Sequence, residues 1–359
     1  MPVNDSSLKI CVGYHKPYFL CKSDFMCPIQ GGRAVANVEN KDGKCDIAAQ
    51  QWLIDNTIGD DTGDNISNLN RNFCEMTIQY WVWKNYEKIG NPDYVGFMQY
   101  RRHFILNPIF DKIKRSAFNL CYQVVSVRAP DNNYFNVIGL NKKNILKILK
   151  DYDVILTKKT DFSLIGIKSM REDWEKVISG THIEDLDKFT AYLKQVNPEF
   201  GEYFEKKSYE PQQHLYLCFI TSKKIFKEYA EFVFPILLDF NKILDVSQYS
   251  VNGKRTMGYL AERLWSVYFD FMEQKKSYKL KEVNMTLILD SGLREKNKFY
   301  LYLKYYEYWF ESKLLWGKWK NIYREKRKNI RAKLKDAGPM FINNKKFKAR
   351  DYAQSSTKN

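Results

Sequence analysis

The chain predicts an α/β fold in which helices layer a sheet. Three observations carry this. Short apolar, strand-like runs alternate with helical periodicity through about residue 290. Hydrophobic residues make up 44% of the 359, enough for a sizeable core. Aromatic residues reach 16%, which argues against a disordered chain.

The elements follow in order. Leu8 to Tyr14 reads as a buried strand that ends in the loop His15-Lys16-Pro17-Tyr18. A Gly-, Asn- and Asp-rich stretch spans 31–46, and a polar loop of turn residues runs from Ile58 to Ser67. Asn72 to Ile89 has helical spacing, with Asn72 as cap and Glu75 three residues on. Asp93 to Tyr100 is a second core strand that runs directly into Arg101-Arg102-His103-Phe104. Leu140 to Asp151 reads as a helix and Tyr152 to Leu156 as a strand. Glu172 to Phe204 is helical in pieces, with breaks near Gly180 and Pro198. His214 to Ile220 reads as an apolar strand. Lys223 to Leu244 is an amphipathic helix interrupted near Pro235, Gly258 to Glu273 a further helix, and Lys281 to Leu289 a last strand. Ligands of such sheets sit beyond the carboxyl ends of strands. The loops at 15–18, 60–67 and 99–103 are therefore candidates for one pocket.

From residue 300 the composition changes. A basic, aromatic-rich helical extension is expected over 300–338 and a solvated tail over 339–359. Ten Lys and Arg stand between Lys313 and Lys335, beside Trp316, Trp319 and Tyr323. Such a helix suits an anionic membrane surface. Packing on the domain with an exposed basic face is the alternative. The formal net charge of +16 favours an anionic partner: nucleic acid, an acidic membrane or a phosphorylated substrate. No recognised nucleic-acid motif accompanies it. Seven cysteines, an odd number without a Cys-x-x-Cys pair, fit reduced thiols. No secretory signal and no run of ~20 apolar residues is visible, so the expectation is a cytoplasmic protein with peripheral membrane contact.

Four constellations offer chemistry. The strand 94–100 delivers Arg101 and Arg102 at its carboxyl end, where guanidinium forks match phosphate oxygens. Structural salt bridges are the alternative. Asp60-Asp61-Thr62-Gly63-Asp64-Asn65 groups carboxylates that suit a divalent cation or ribose and sugar hydroxyls, or simply an Asx-rich turn. In the loop after the first strand, Lys16 suits a phosphate and Tyr18 a stacked base; a Pro turn with a solvated Lys is the alternative. In the segment 255–264, Glu262 and Arg263 stand among apolar residues. A partly buried Glu262 suits a general base, and a buried Glu–Arg pair is the alternative.

Together these motifs resemble a bacterial capsular and exopolysaccharide glycosyltransferase family long catalogued as a domain of unknown function (DUF4422-like). The resemblance covers about residues 8–290. It rests on His15-Lys16-Pro17-Tyr18, on Asp60-Asp61-x-Gly63-Asp64-Asn65-Ile66-Ser67, and on the helix carrying Glu75, Tyr80, Trp81, Trp83, Lys84 and Asn85. It continues in Tyr94-x-Gly96-x-x-x-Tyr100-Arg101-Arg102-x-Phe104, Phe234-Pro-Ile-Leu237 and Gly258-x-Leu260-x-Glu262-Arg263-Leu264. It implies a GT-A-like, Rossmann-like mixed sheet flanked by helices over 8–290. It further implies transfer of a hexose, such as galactose or galactofuranose, from a UDP-sugar. The acceptor is a glycan or lipid-linked oligosaccharide at the inner face of the plasma membrane.

On this reading the candidate catalytic residues are Glu262, Asp64, Arg101 and Arg102. The donor contacts are His15, Lys16, Tyr18, Asp60, Asp61, Asn65, Gln99, Tyr100 and Arg263. Asp60, Asp61 and Asp64 hold Mn or Mg if the reaction needs a metal; otherwise the arginines take its place. Two departures stand out. Gln99 occupies a place that is usually His, and Tyr216-Leu-Cys-Phe-Ile220 lacks a usual amide. The rival readings are a catalytically impaired sugar-binding or scaffold subunit and a basic nucleic-acid-binding protein.

Overall fold

The computed structural model describes residues 6–21, 23–38, 46–109, 124–128 and 133–289. The basic extension over 300–338 and the tail over 339–359 lie outside the described residues. The strands are β1 (Leu8–Tyr14), β2 (Met26–Gln30), β3 (Ile58–Gly59), β4 (Tyr94–Gln99), β5 (Val124–Arg128), β6 (Val154–Thr157), β7 (Thr160–Asp161), β8 (Gln212–Gln213), β9 (Phe219–Ser222), β10 (Leu280–Val283) and β11 (Met285–Leu289). The helices begin with α1 (Ile47–Asn56), α2 (Asn70–Phe73), α3 (Met76–Lys84), α4 (Tyr134–Ile138) and α5 (Lys142–Ile148). They continue with α6 (Met170–Lys176), α7 (Ile183–Val196), α8 (Pro198–Ser208), α9 (Lys223–Asn241) and α10 (Thr256–Gln274).

Seven strands form one sheet in the order β10-β6-β9-β4-β1-β2-β3. All its pairs are parallel except those of β9, which runs antiparallel between β4 and β6. Period-two alternation sends the side chains of each strand to opposite layers. Cys11 of β1 and Phe97 of β4 join the layer packed by α3, α9 and α10. Ile10 and Val12 of β1 join Met98 and Ile145 in the other. Both faces are covered, which is why β1 and β4 read as near-continuous apolar runs.

Four elements differ from expectation for identifiable reasons. The helix expected from Asn72 begins at Met76, because Cys74 takes φ 51° and breaks the chain from α2. Asn72 instead receives the amide of Met257 on its side chain. The strand expected over 214–220 starts at Phe219. Before it, Tyr216 and Leu217 both adopt left-handed backbone, at φ 80° and 53°. Helix α9 runs unbroken through Pro235. Pro235 and Glu231 one turn earlier are both exposed, so water can satisfy the freed carbonyl. The last expected strand divides into β10 and β11, which belong to different sheets.

The polar loop after β3 is bound into this frame. Asp60 is fully buried and its carboxylate accepts four hydrogen bonds. These come from the amides of Gly32 (2.8 Å) and Arg33 (3.1 Å) and the hydroxyls of Ser67 (2.5 Å) and Thr77 (2.6 Å). It thereby joins the end of β2, its own loop and α3. The Trp81 indole donates to the Thr62 carbonyl at 2.8 Å, and the Asn85 amide to the Asp64 carbonyl at 2.8 Å. Asp60→Ala strands these donors and is expected to cost about 3–5 kcal/mol. Urea unfolding of the two proteins checks it; an unchanged midpoint would exclude Asp60 as the tie.

Candidate active site

A cavity of about 550 Å³ opens at the carboxyl ends of β1 and β4. Three segments wall it. The first comes from those strand ends: Tyr14, His15, Gln99, Tyr100, Arg101 and Arg102. The second is the α2–α3 junction, with Asn70, Arg71, Cys74 and Glu75. The third is one face of α10, where Arg255, Gly258, Tyr259 and Glu262 recur at helical spacing. Gly258 permits that approach: a Cβ there would lie 2.8 Å from the Cys74 sulfur. Tyr216 and Leu217 add to the lining, as does Lys254 beside Arg255.

Neither Arg101 nor Arg102 has a carboxylate partner among the described residues. Arg102 donates to the Gln99 side-chain oxygen, and its guanidinium lies 4.5 Å from the Tyr216 ring centroid. Arg101 lies 5.4 Å from that of Tyr100. Rings and a neutral amide thus orient both cations without neutralising them. The backbone behind them is fastened to β11: the Ile288 amide donates to the Arg101 carbonyl and the Thr286 amide to that of His103, each at 2.8 Å. The buried His103 ring sits 3.1 Å from the Cys21 sulfur and 3.0 Å from the Tyr134 hydroxyl. Burial pushes the Cys21 thiol up to about 12 and the His103 imidazole down to about 3, so both are neutral.

A second chain of contacts sets the opposite wall. Glu262 accepts the Tyr216 amide on one carboxylate oxygen at 2.6 Å and Arg263 on the other. Arg263 is buried and pairs with the buried Asp173 at 2.5 Å. Gln99 donates to the Tyr216 carbonyl at 3.1 Å, and Gln79 to that of Leu217 at 3.3 Å. Left-handed backbone costs about 1–3 kcal/mol for such residues and persists where neighbours over-determine it. Here three polar contacts to the turn's own backbone do so, from Glu262, Gln99 and Gln79.

The structure brings six of the expected residues to the cavity: His15, Gln99, Tyr100, Arg101, Arg102 and Glu262. The others lie elsewhere. Tyr18, expected to stack on a base, is buried against Tyr100, and its hydroxyl donates to the Ile288 carbonyl. Arg263 is spent on Asp173 and Glu262 and does not line the cavity. Lys16 also falls outside the lining. Asp60 is saturated by its four donors, Asp61 is exposed, and Asp64 accepts from the Tyr80 hydroxyl at 3.0 Å. Asn65 caps its own turn through the Ser67 amide. These carboxylates therefore do not fit a shared cation. Among the described residues no His, Cys, Asp and Glu side chains group as metal ligands would. Arg71, Cys74, Glu75, Lys254, Arg255 and Tyr259 also line the cavity, although the sequence does not mark them as site residues. The i, i+3, i+4, i+7 spacing of Arg255, Gly258, Tyr259 and Glu262 was the available signal.

Comparisons with known proteins agree with this architecture. A family model described as "Domain of unknown function (DUF4422)" matches residues 9–275. The apo structure of WbbM, a bifunctional glycosyltransferase, is similar with a TM-score of 0.67 and 31% identity. The likeness covers 79% of this chain and 46% of that one, so the chain spans less than half of that relative. No curated protein matches the chain. The mixed sheet flanked by helices is GT-A-like, as the resemblance implied.

The neutral His103 predicts acid sensitivity. Its ordinary value is about 6.5, so below that the unfolded chain takes up a proton that the folded chain refuses. The stability it contributes is present above about pH 6.5 and is lost toward pH 3, by about 1.4 kcal/mol per pH unit. Urea midpoints between about pH 7 and pH 5 should fall for the wild type and less for His103→Gln. Identical slopes would remove this imidazole as the cause.

Proposed function

The chain belongs to the DUF4422 family, and on that premise we propose that it is a glycosyltransferase moving a hexose from a UDP-sugar to a glycan or lipid-linked acceptor of a surface polysaccharide. The observation that carries the reading is the pair Arg101 and Arg102, both in the cavity and neither paired with a carboxylate among the described residues. Glycosyl transfer breaks the bond between the anomeric carbon and a diphosphate oxygen. The electron pair departs with the nucleoside diphosphate. Charge builds on that oxygen, and two oriented guanidinium groups stabilise it without prior reorganisation. His15, Gln99 and Tyr100 border the same wall and are assigned to the donor.

If the reaction inverts the anomeric centre, a carboxylate must take the acceptor's hydroxyl proton. Two carboxylates line the cavity among the described residues, Glu75 and Glu262. Glu262 keeps its assignment from the sequence, and Glu75 replaces Asp64, which lies outside the lining. Attachment to the inner face of the plasma membrane through the basic segment 300–338 belongs to the same proposal. No described helix is long and apolar enough to cross a membrane.

Arg101→Ala and Arg102→Ala are each expected to lower turnover about 10²- to 10³-fold while leaving the fold intact. UDP should raise the melting temperature of the wild type and do so less in either variant. Full turnover in either variant overturns the assignment. UDP binding should persist in EDTA, since the arginines carry the countercharge; its loss, restored by Mn²⁺ or Mg²⁺, would show that they do not suffice. Comparing Glu75→Gln with Glu262→Gln separates base from support: the base variant loses kcat at all pH values, whereas the supporting one chiefly raises KM.

A further inference from the structure

The cavity has a second cationic station that a donor diphosphate at Arg101 and Arg102 does not use. Lys254 and Arg255 line it at the start of α10. Neither forms an ion pair among the described residues. Arg255 is nevertheless held in place: its Nε donates to the Cys74 sulfur at 3.2 Å, and its Nη1 to the Tyr259 hydroxyl at 2.9 Å. That hydroxyl in turn donates to the Asn252 side-chain oxygen at 3.0 Å. The hydrogen-bond partners of Arg255 carry no carboxylate, and the Glu75 carboxylate acts on it only through space. An arriving anion gains a charge-assisted contact on a side chain that is already ordered.

The station is separate from the first. Glu262 lies seven residues beyond Arg255 on the same helical face, which is about 10 Å along the axis. Glu262 holds the Tyr216 amide, and the Tyr216 ring carries the Arg102 guanidinium. Arg102, with Arg101 next to it in the chain, thus stands toward the Glu262 end of this wall, and Lys254 and Arg255 stand at the other end. That axial spacing along the helix is wider than one phosphate group. The acidic groups facing this space are Glu75 and Glu262, on the α3 and α10 walls.

We propose that Lys254 and Arg255 receive an anionic group, phosphate or carboxylate, carried by the acceptor. The inference rests on the donor reading above. It makes the enzyme selective for a charged acceptor, with the transferred sugar positioned between two anions.

The test is calorimetric titration of the full chain with glucose 1-phosphate, glucuronate and methyl glucoside, each with and without saturating UDP. The charged sugars should bind about tenfold more tightly than methyl glucoside. Arg255→Gln, and the exposed and therefore structurally tolerant Lys254→Gln, should erase that preference without weakening UDP. Stronger binding of glucose 1-phosphate identifies a phosphorylated acceptor, and stronger binding of glucuronate a uronic acid. Equal binding of charged and neutral sugars overturns the proposal. So does a loss of UDP affinity in Arg255→Gln as large as that in Arg101→Gln. A wild type that ignores UDP yet prefers charged sugars would sink the donor assignment alone.

Discussion

The open end of the sheet depends on how Glu262 grips the backbone of Tyr216. Strand β9 enters antiparallel between β4 and β6, so its preceding residues arrive where the parallel strands finish. The chain must reverse there, and it does so through two consecutive left-handed residues that carry bulky side chains. Such a turn does not hold itself. Glu262 supplies an acceptor, Arg263 orients Glu262, and Asp173 balances Arg263. The aromatic surface beneath Arg102 is therefore set by a charge network lying largely behind the cavity.

Asp60 makes the complementary point on the other side. A carboxylate-rich loop invites a reading as a ligand site, yet its central acid is the internal acceptor of four donors. A buried carboxylate surrounded by amides and hydroxyls stays satisfied without a cation, because oriented dipoles replace its hydration. The sequence pattern is the same for a turn, a metal site and a tie. Only the positions of Gly32, Ser67 and Thr77 separate them.

The alternation of strands and helices was legible because the central strands are covered on both faces and so read as apolar runs. The arrival of Arg101 and Arg102 at the edge that borders the cavity was legible for the same reason: a strand's end is fixed by its pattern. The turn at 216–217 was not, since Leu215, Tyr216 and Leu217 look like strand residues and their strain is imposed by distant side chains. The role of Arg255 was also hidden. It depends on Cys74, 181 residues away in sequence, and on a chain break between α2 and α3 that local helical spacing does not announce. Pro235 erred in the opposite direction, because local chemistry predicts a break that its solvent-facing position makes unnecessary.

Cys74 has one more consequence. The other described cysteines, at 11, 21, 27 and 218, are all buried. Cys74 is partly exposed and borders the cavity. With Cys45 and Cys121 replaced, a small fluorophore coupled at this single thiol would sit inside the binding space and report its occupancy optically. The same exposure makes the choice of reductant during purification a question of preserving access to the interior.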